Sequence, residues 1–207
     1  GAIFPCTITD ITKEGNIGNL DLTTLSNTFK FEFENSGFMR DGKIYTRKVE
    51  PIMEEIFPIS NILLSTNDES YFIDTDEEKF AKWVALKGSK RKKRISKEGY
   101  AYTFSEGSIA FPEPEDQPAR TMLTSEGTLN RSTLTVRDPQ NGRIRTILPE
   151  EAELIQTFPV GWTGVTDDDG NPIMTKRQRL FCMGNALVTN LVKRMGESLI
   201  EIYHNEE

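Results

Sequence analysis

Histidine and cysteine are scarce in this chain of 207 residues: one histidine, His204, lies near the carboxyl end, and two cysteines, Cys6 and Cys182, lie far apart. Chemistry built on imidazole, including most zinc sites, is therefore not expected, and no metal ligand is assigned. Two distant cysteines make no disulfide framework, which suits a reducing cytosol. No apolar run approaches the roughly 20 residues that a membrane span needs. No secretory leader is recognisable, and Gly1-Ala2 is read as a cloning scar. A βαβ unit and a glycine-rich phosphate turn are also missing, which argues against a nucleotide-binding half within these residues.

What is present reads as a soluble globular chain, 36% apolar and 28% charged with a mean hydropathy of -0.48. It is long enough to bury a core as one large domain or two small ones. The net charge of -7 argues against indiscriminate nucleic-acid binding. That charge is unevenly spread, however. Asp68, Glu69, Asp74, Asp76, Glu77 and Glu78 crowd one stretch, and Lys87, Lys90, Arg91, Lys92, Lys93, Arg94 and Lys97 crowd the next. The basic run is read as a loop, either simply solvated or able to track phosphates.

Along the chain, Phe29, Phe31 and Phe33 alternate at the period of a strand, and Asp41-Gly42 separates two further apolar-bearing runs as a hairpin turn would. Residues 75–86 predict a short helix capped by Thr75 or Asp76, with Phe80, Trp83 and Val84 inward. A second hairpin is expected from Thr133–Val136 to Arg143–Ile147, across Asp138–Gly142. Pro149 opens a helix carrying acids in its first turn, through Ala152, Ile155 and Phe158 to Pro159. "GVTDDDGNPIMT" is a polar loop. "LFCMGNALVTNLVKRM" (180–195) starts as an apolar, strand-like run and stops at Gly184-Asn185. It then restarts as a helix from about Asn185 to Tyr203, with Asn185 as N-cap and Val188, Leu191, Val192, Met195, Leu199 and Ile202 on one face. Such a stripe requires a surface to lie against. Cys182 is read as a small buried apolar residue.

Arg145, Leu148-Pro149-x-Glu151, Gln156-Thr157-Phe158-Pro159 and, further on, Gly184-Asn185-Ala186-Leu187 occur in that order. Together they resemble the carboxyl-terminal part of bacterial DNA (cytosine-5) methyltransferases, which carry an Arg, a Leu-Thr-Pro-x-Glu helix, a Gln-Gly-Phe-Pro end and a Gly-Asn-Ala/Ser-Val turn. Two linked motifs in order are more specific than either alone. The resemblance covers about residues 115–195, and upstream segments resemble the variable target-recognition region of one subgroup. Two departures stand out. Leu148 replaces a capping Thr, and Thr157 replaces a Gly where positive φ is wanted.

The resemblance implies methyl transfer from S-adenosylmethionine to C5 of a cytosine flipped out of double-stranded DNA. The family's nucleophile (Pro-Cys-Gln), acid (Glu-Asn-Val) and most cofactor contacts lie in an N-terminal doubly wound domain that these residues do not contain. Pro5-Cys6 and Glu34-Asn35 mimic the order of the first two. Yet Thr7 follows Cys6, no glycine precedes Pro5, and Glu34 sits in a hairpin pattern. No catalytic residue is assigned. The resemblance places Asn185 and Ala186 beside the cofactor. It places Arg120, Thr121 and Met122 at the DNA near the flipped base, Arg131 at a guanine edge or phosphate, and Lys90, Arg91, Lys92, Lys93 and Arg94 on phosphates.

The expected fold class is α+β. A small antiparallel, β-rich recognition domain with hairpins and long loops (1–147) precedes a return segment (148–207) whose two helices pack on the α/β catalytic domain. The expected partners are double-stranded DNA and the N-terminal methyltransferase half, without which the chain is expected to be inactive. The expected setting is the bacterial cytoplasm, at the nucleoid and not at a membrane. The alternative is a non-catalytic DNA-binding or regulatory protein derived from the same family.

Overall fold

The computed structural model describes residues 4–18 and 20–206, so Gly1-Ala2 lies outside the described residues. The chain divides into two compact units, one formed by residues up to Glu55 together with those from Arg194 onward, the other by Ile56–Lys193. The expected boundary at 147/148 thus falls inside the second unit.

In the first unit, β1 (Cys6–Asn16), β2 (Ser36–Arg40) and β3 (Lys43–Pro51) form an antiparallel sheet in the order β1-β3-β2. The β2–β3 hairpin is the expected one. Asp41 and Gly42 both take positive φ, 50° and 74°, the two-residue turn whose twist matches that of paired strands. The phenylalanine run is not a strand. It follows a short helix, α1 (Leu22–Thr28), whose first turn Asp21 caps by accepting from the N–H groups of Thr23 and Thr24. Phe29, Phe31 and Phe33 then pack on one another, with ring centroids 5.0–6.2 Å apart. Period-two spacing served ring packing here, and among the described residues no strand pairs with this segment. Asn35 closes the segment onto β3: its Nδ2 donates to the Val49 carbonyl and its Oδ1 accepts from the Val49 N–H, both at 2.8 Å. Glu34 pairs with Lys13 at 3.0 Å. Among the described residues of this unit Ile44 is the one buried large apolar side chain.

The second unit holds the main core, made of Ile59, Ile62, Met122, Leu134, Val136, Ile147, Ala152, Leu180 and Met183. Helix α2 (Glu77–Lys87) is capped by Asp76, which accepts from Lys79 N–H. Trp83 is buried as expected, but Val84 is exposed, and Lys87 takes the inward place at the last turn. The basic run is no loop: β4 (Lys90–Ile95) pairs with β5 (Ala101–Glu106) in a two-stranded ribbon. The long arms of Lys and Arg tolerate a ladder edge, and the turn residues Ser96 to Gly99 close it, with Gly99 at φ 83°. The second expected hairpin forms between β6 (Thr135–Arg137) and β7 (Ile144–Thr146).

Helix α3 (Pro149–Ile155) starts at Pro149, and Glu151 accepts from the Leu148 N–H at 2.7 Å, so the helix keeps the glutamate half of a capping box without the hydroxyl half. It ends earlier than expected, at Ile155. Thr157 takes φ 60°, with Phe158 N–H donating to Glu153 O and Thr157 N–H to Leu154 O. That is a Schellman end built on a threonine where glycine is the low-cost choice. Helix α4 (Lys176–Asn185) has a full capping box between Thr175 and Gln178. The strand-like reading of 180–183 is therefore overturned, since Leu180 and Met183 reach the core at helical spacing. Gly184-Asn185 close α4 instead of opening the last helix, α5 (Thr189–Glu206). Asn185 is no N-cap, and its Nδ2 donates to the Phe181 carbonyl. Cys182, expected to be buried, is exposed. The expected stripe is open over most of its length: Val192, Met195, Leu199 and Ile202 are exposed, whereas Leu191 and Val188, which precedes α5, are half-buried.

Candidate nucleic-acid interface

The basic ribbon gives its charges two faces. Directly opposed residues in an antiparallel pair share a face. Register therefore puts Arg91, Lys93 and Ile95 with Ser105, Thr103 and Ala101, and Lys90, Lys92 and Arg94 with Glu106, Phe104 and Tyr102. All six residues of the first set are exposed, whereas Lys90, Phe104 and Glu106 of the second are half-buried. Arg94 lies over the Phe104 ring at 4.0 Å, a cation–π contact that stiffens the second face. Among the described residues none of Lys90, Arg91, Lys92, Lys93 and Arg94 is in an ion pair with a carboxylate. Their charge is available to an outside anion.

The other expected DNA residues have different surroundings. Thr121 is exposed. Arg120, one residue before it, is held by Glu113 through Nε at 2.8 Å and Nη2 at 2.6 Å. Met122 is 3% exposed and belongs to the core. The alternation Arg120–Thr121–Met122 thus anchors its outer two residues in the protein and leaves the middle one facing out. Arg131 is half-buried, and its guanidinium donates to the carbonyls of Leu86, Gly88 and Gly107, with Glu106 3.7 Å from Nε. Three of its five N–H donors thus go to backbone carbonyls. Sequence spacing could not reveal this, because its partners lie more than 20 positions away.

Beneath this surface lies a charged layer that sequence reasoning missed. Lys87 Nζ donates to the Thr133 carbonyl, and burial lowers its pKa to about 8. Glu126 accepts from Leu134 N–H at 2.6 Å, its other oxygen has no partner among the described residues, and burial raises its pKa to about 7. A glutamate in "TSEG" gives no hint of burial, since the local pattern is that of a turn.

The motif residues form a bonded frame within the second unit. Arg145, fully buried, meets Glu151 in a bidentate pair at 2.7 and 2.8 Å and Asp138 at 3.0 Å. Glu153 accepts from the N–H groups of Gly161 and Thr163 and pairs with Arg179 of α4 at 2.9 Å. Gln156 donates to the Met183 carbonyl at 2.8 Å, while the Thr157 hydroxyl pairs with that of Thr189 at 2.7 Å and accepts from Asn190 N–H. The two sequence motifs are therefore bonded to each other. Gly184 is required by close approach: a Cβ there would sit 2.5 Å from the backbone carbonyl of Leu123. Ala186 is half-buried and Asn185 exposed next to this contact.

The second unit thus holds a bonded pair of motifs and an exposed, cation-rich ribbon. The model of the C-5 cytosine-specific DNA methylase family matches residues 19–201, and the chain belongs to that family. It is similar to the type II methyltransferase M.Sau3AI of Staphylococcus aureus, with 39% identity over 182 residues that make up 88% of this chain and 41% of that protein. The chain thus spans less than half the length of this relative. No solved structure matches it. No described helix is long and apolar enough to cross a membrane.

Proposed function

We propose that this chain is the DNA-recognition and carboxyl-terminal portion of a bacterial DNA (cytosine-5) methyltransferase. The whole enzyme transfers a methyl group from S-adenosylmethionine to C5 of a cytosine flipped from a specific duplex site. The observation that carries the reading is the largely exposed ribbon Lys90–Arg94, without ion pairs to carboxylates among the described residues, in a chain of this family. A net-negative protein that concentrates cations on one two-stranded ribbon is suited to phosphate tracking at a chosen place. Thr121 is the outward residue of its triplet and faces DNA in this reading. Arg120 and Met122 hold it in place.

The residues present fit one edge of a cofactor site. Asn185 offers an exposed amide oxygen, and Ala186 beside it is a small, half-buried side chain packed against the core. S-adenosylmethionine supplies the activated methyl group when bound. In this reading the remaining contacts come from the N-terminal half, and the isolated chain binds DNA without transferring methyl groups. The exposed stripe of α5 and the apolar surface of the first unit, including Phe38, Met39, Met53 and Leu199, lie against the catalytic half. The working place is the bacterial nucleoid.

The test joins this chain to the part of the S. aureus relative that has no counterpart here and follows labelled methyl groups from S-adenosylmethionine into duplex DNA. Transfer by the joined protein, with DNA binding but no transfer by the chain alone, is the expected result. Transfer by the chain alone would overturn the division of labour. DNA binding without restored transfer would favour a non-catalytic descendant of the family.

A further inference from the structure

Among the described residues the β4–β5 ribbon is hydrogen-bonded as a sheet only to itself. A two-stranded ribbon on its own is marginal in water, so something else must set its direction. The only side chain found to bridge both of its ends, among the described residues, is Arg131. Two of its acceptors, the carbonyls of Leu86 and Gly88 at 2.6 and 2.7 Å, precede β4, and the third, that of Gly107, follows β5. Glu106, the last residue of β5, faces the same guanidinium at 3.7 Å. Nearby, Ile109 N–H donates to the Lys87 carbonyl at 2.9 Å, and Lys87 itself is tied to Thr133, two residues beyond Arg131. A planar group with five donors in fixed directions can hold several carbonyls at once, and a lysine ammonium cannot do so with the same geometry.

We propose that Arg131 is a positioning residue that fixes the pose of the basic ribbon by clamping the two ends of its hairpin, and does not itself contact DNA. The inference rests on the reading of the ribbon as the DNA-binding element. In that reading Arg131 determines how Arg91 and Lys93 are presented together. Without the clamp each cation keeps its charge but the ribbon must be ordered anew on every encounter, and affinity falls for that reason.

The test compares the chain with its Arg131→Gln and Arg131→Lys variants by amide hydrogen exchange and by binding to a random-sequence duplex over a range of salt. In Arg131→Gln, protection of the β4 and β5 amides is expected to fall by about tenfold or more, while that of β6, β7 and α3 holds. Affinity for the duplex should fall by a similar factor with the slope of log affinity against log salt unchanged, and Arg131→Lys should recover only part of both losses. A slope reduced by about 0.9 would make Arg131 a phosphate contact and overturn the proposal. Unchanged ribbon protection in a variant that still binds DNA would overturn it as well. Loss of ribbon protection in a chain whose wild type binds no DNA would retain the clamp and reject the reading of the ribbon as a DNA element. Should Arg131→Gln lose protection throughout, the Arg131→Lys variant carries the same comparison.

Discussion

Arg145 and Glu151 meet as a fully buried bidentate pair, at 2.7 and 2.8 Å, and both also hold backbone groups, with Leu64 shared between them. Arg145 donates to the carbonyls of Thr146 and Leu64 and pairs with Asp138, and Glu151 accepts from the N–H groups of Leu148 and Leu64. The pair joins β7, the start of α3 and the strand-like stretch at Leu64. Arg145→Ala leaves two buried carboxylates without their cation, and a loss of about 3–5 kcal/mol is expected. Urea unfolding measures it. A loss below about 1 kcal/mol would mean that the pair is not buried as described.

Gly184 offers a test of sign. On helix propensity alone, Gly184→Ala should stabilise α4 by up to about 1 kcal/mol. The contact with Leu123 predicts the opposite, because the added Cβ falls 2.5 Å from backbone atoms that cannot rotate away. A net destabilisation of about 1–3 kcal/mol is expected, read as a lower urea midpoint at constant slope. A raised midpoint would separate α4 from the 123–124 segment.

On the ribbon, each phosphate contact removed should lower the salt slope of duplex binding by about 0.9. Arg91→Gln with Lys93→Gln strips the fully exposed face and should lower it by nearly twice that amount. Lys90→Gln with Lys92→Gln should have the smaller effect, since Lys90 is half-buried. Equal slopes in all three proteins would exclude the ribbon from the interface.

Glu126 and Lys87 predict an unusual dependence of stability on pH. Glu126 is raised from 4.5 to about 7, so the folded state keeps a proton that the unfolded chain releases. Its contribution is full below about pH 4.5 and is lost as pH rises through about 7. Lys87 is lowered from 10.5 to about 8, so here the unfolded chain holds the extra proton and stability recovers as pH climbs from about 8 to 10.5. Between them the two groups cost the fold most near pH 7 to 8. Relative to wild type, Glu126→Gln should gain about 1–3 kcal/mol on going from pH 5 to pH 7.5. Thermal or urea unfolding across pH checks this, and a difference that does not change with pH would place Glu126 in solvent.

Much of the second unit was legible from its residues. Pro149 with Glu150-Glu151, the Asp138–Gly142 turn and the Asp76 cap are local signals, and each element stands where they put it. Thr157 was legible as a strained position, and the structure adds why threonine is tolerated: its hydroxyl ties α3 to Thr189 and Asn190. Misreadings arose where a pattern had two physical solutions. Alternating phenylalanines suit a strand or a self-packed cluster, and an apolar tetrad before Gly-Asn suits a strand or the end of a helix.

By itself the sequence determined the family, the turns, the caps and the presence of a concentrated basic segment, because those rest on residue type and short spacing. Only the tertiary structure decided that the basic segment is a ribbon, that Met122 and Arg131 turn toward the protein while Thr121 turns outward, and that Gly184 is a contact between segments. Such assignments depend on which distant carbonyl, carboxylate or backbone atom arrives beside a side chain. That is fixed by packing across the core, and no local spacing encodes it.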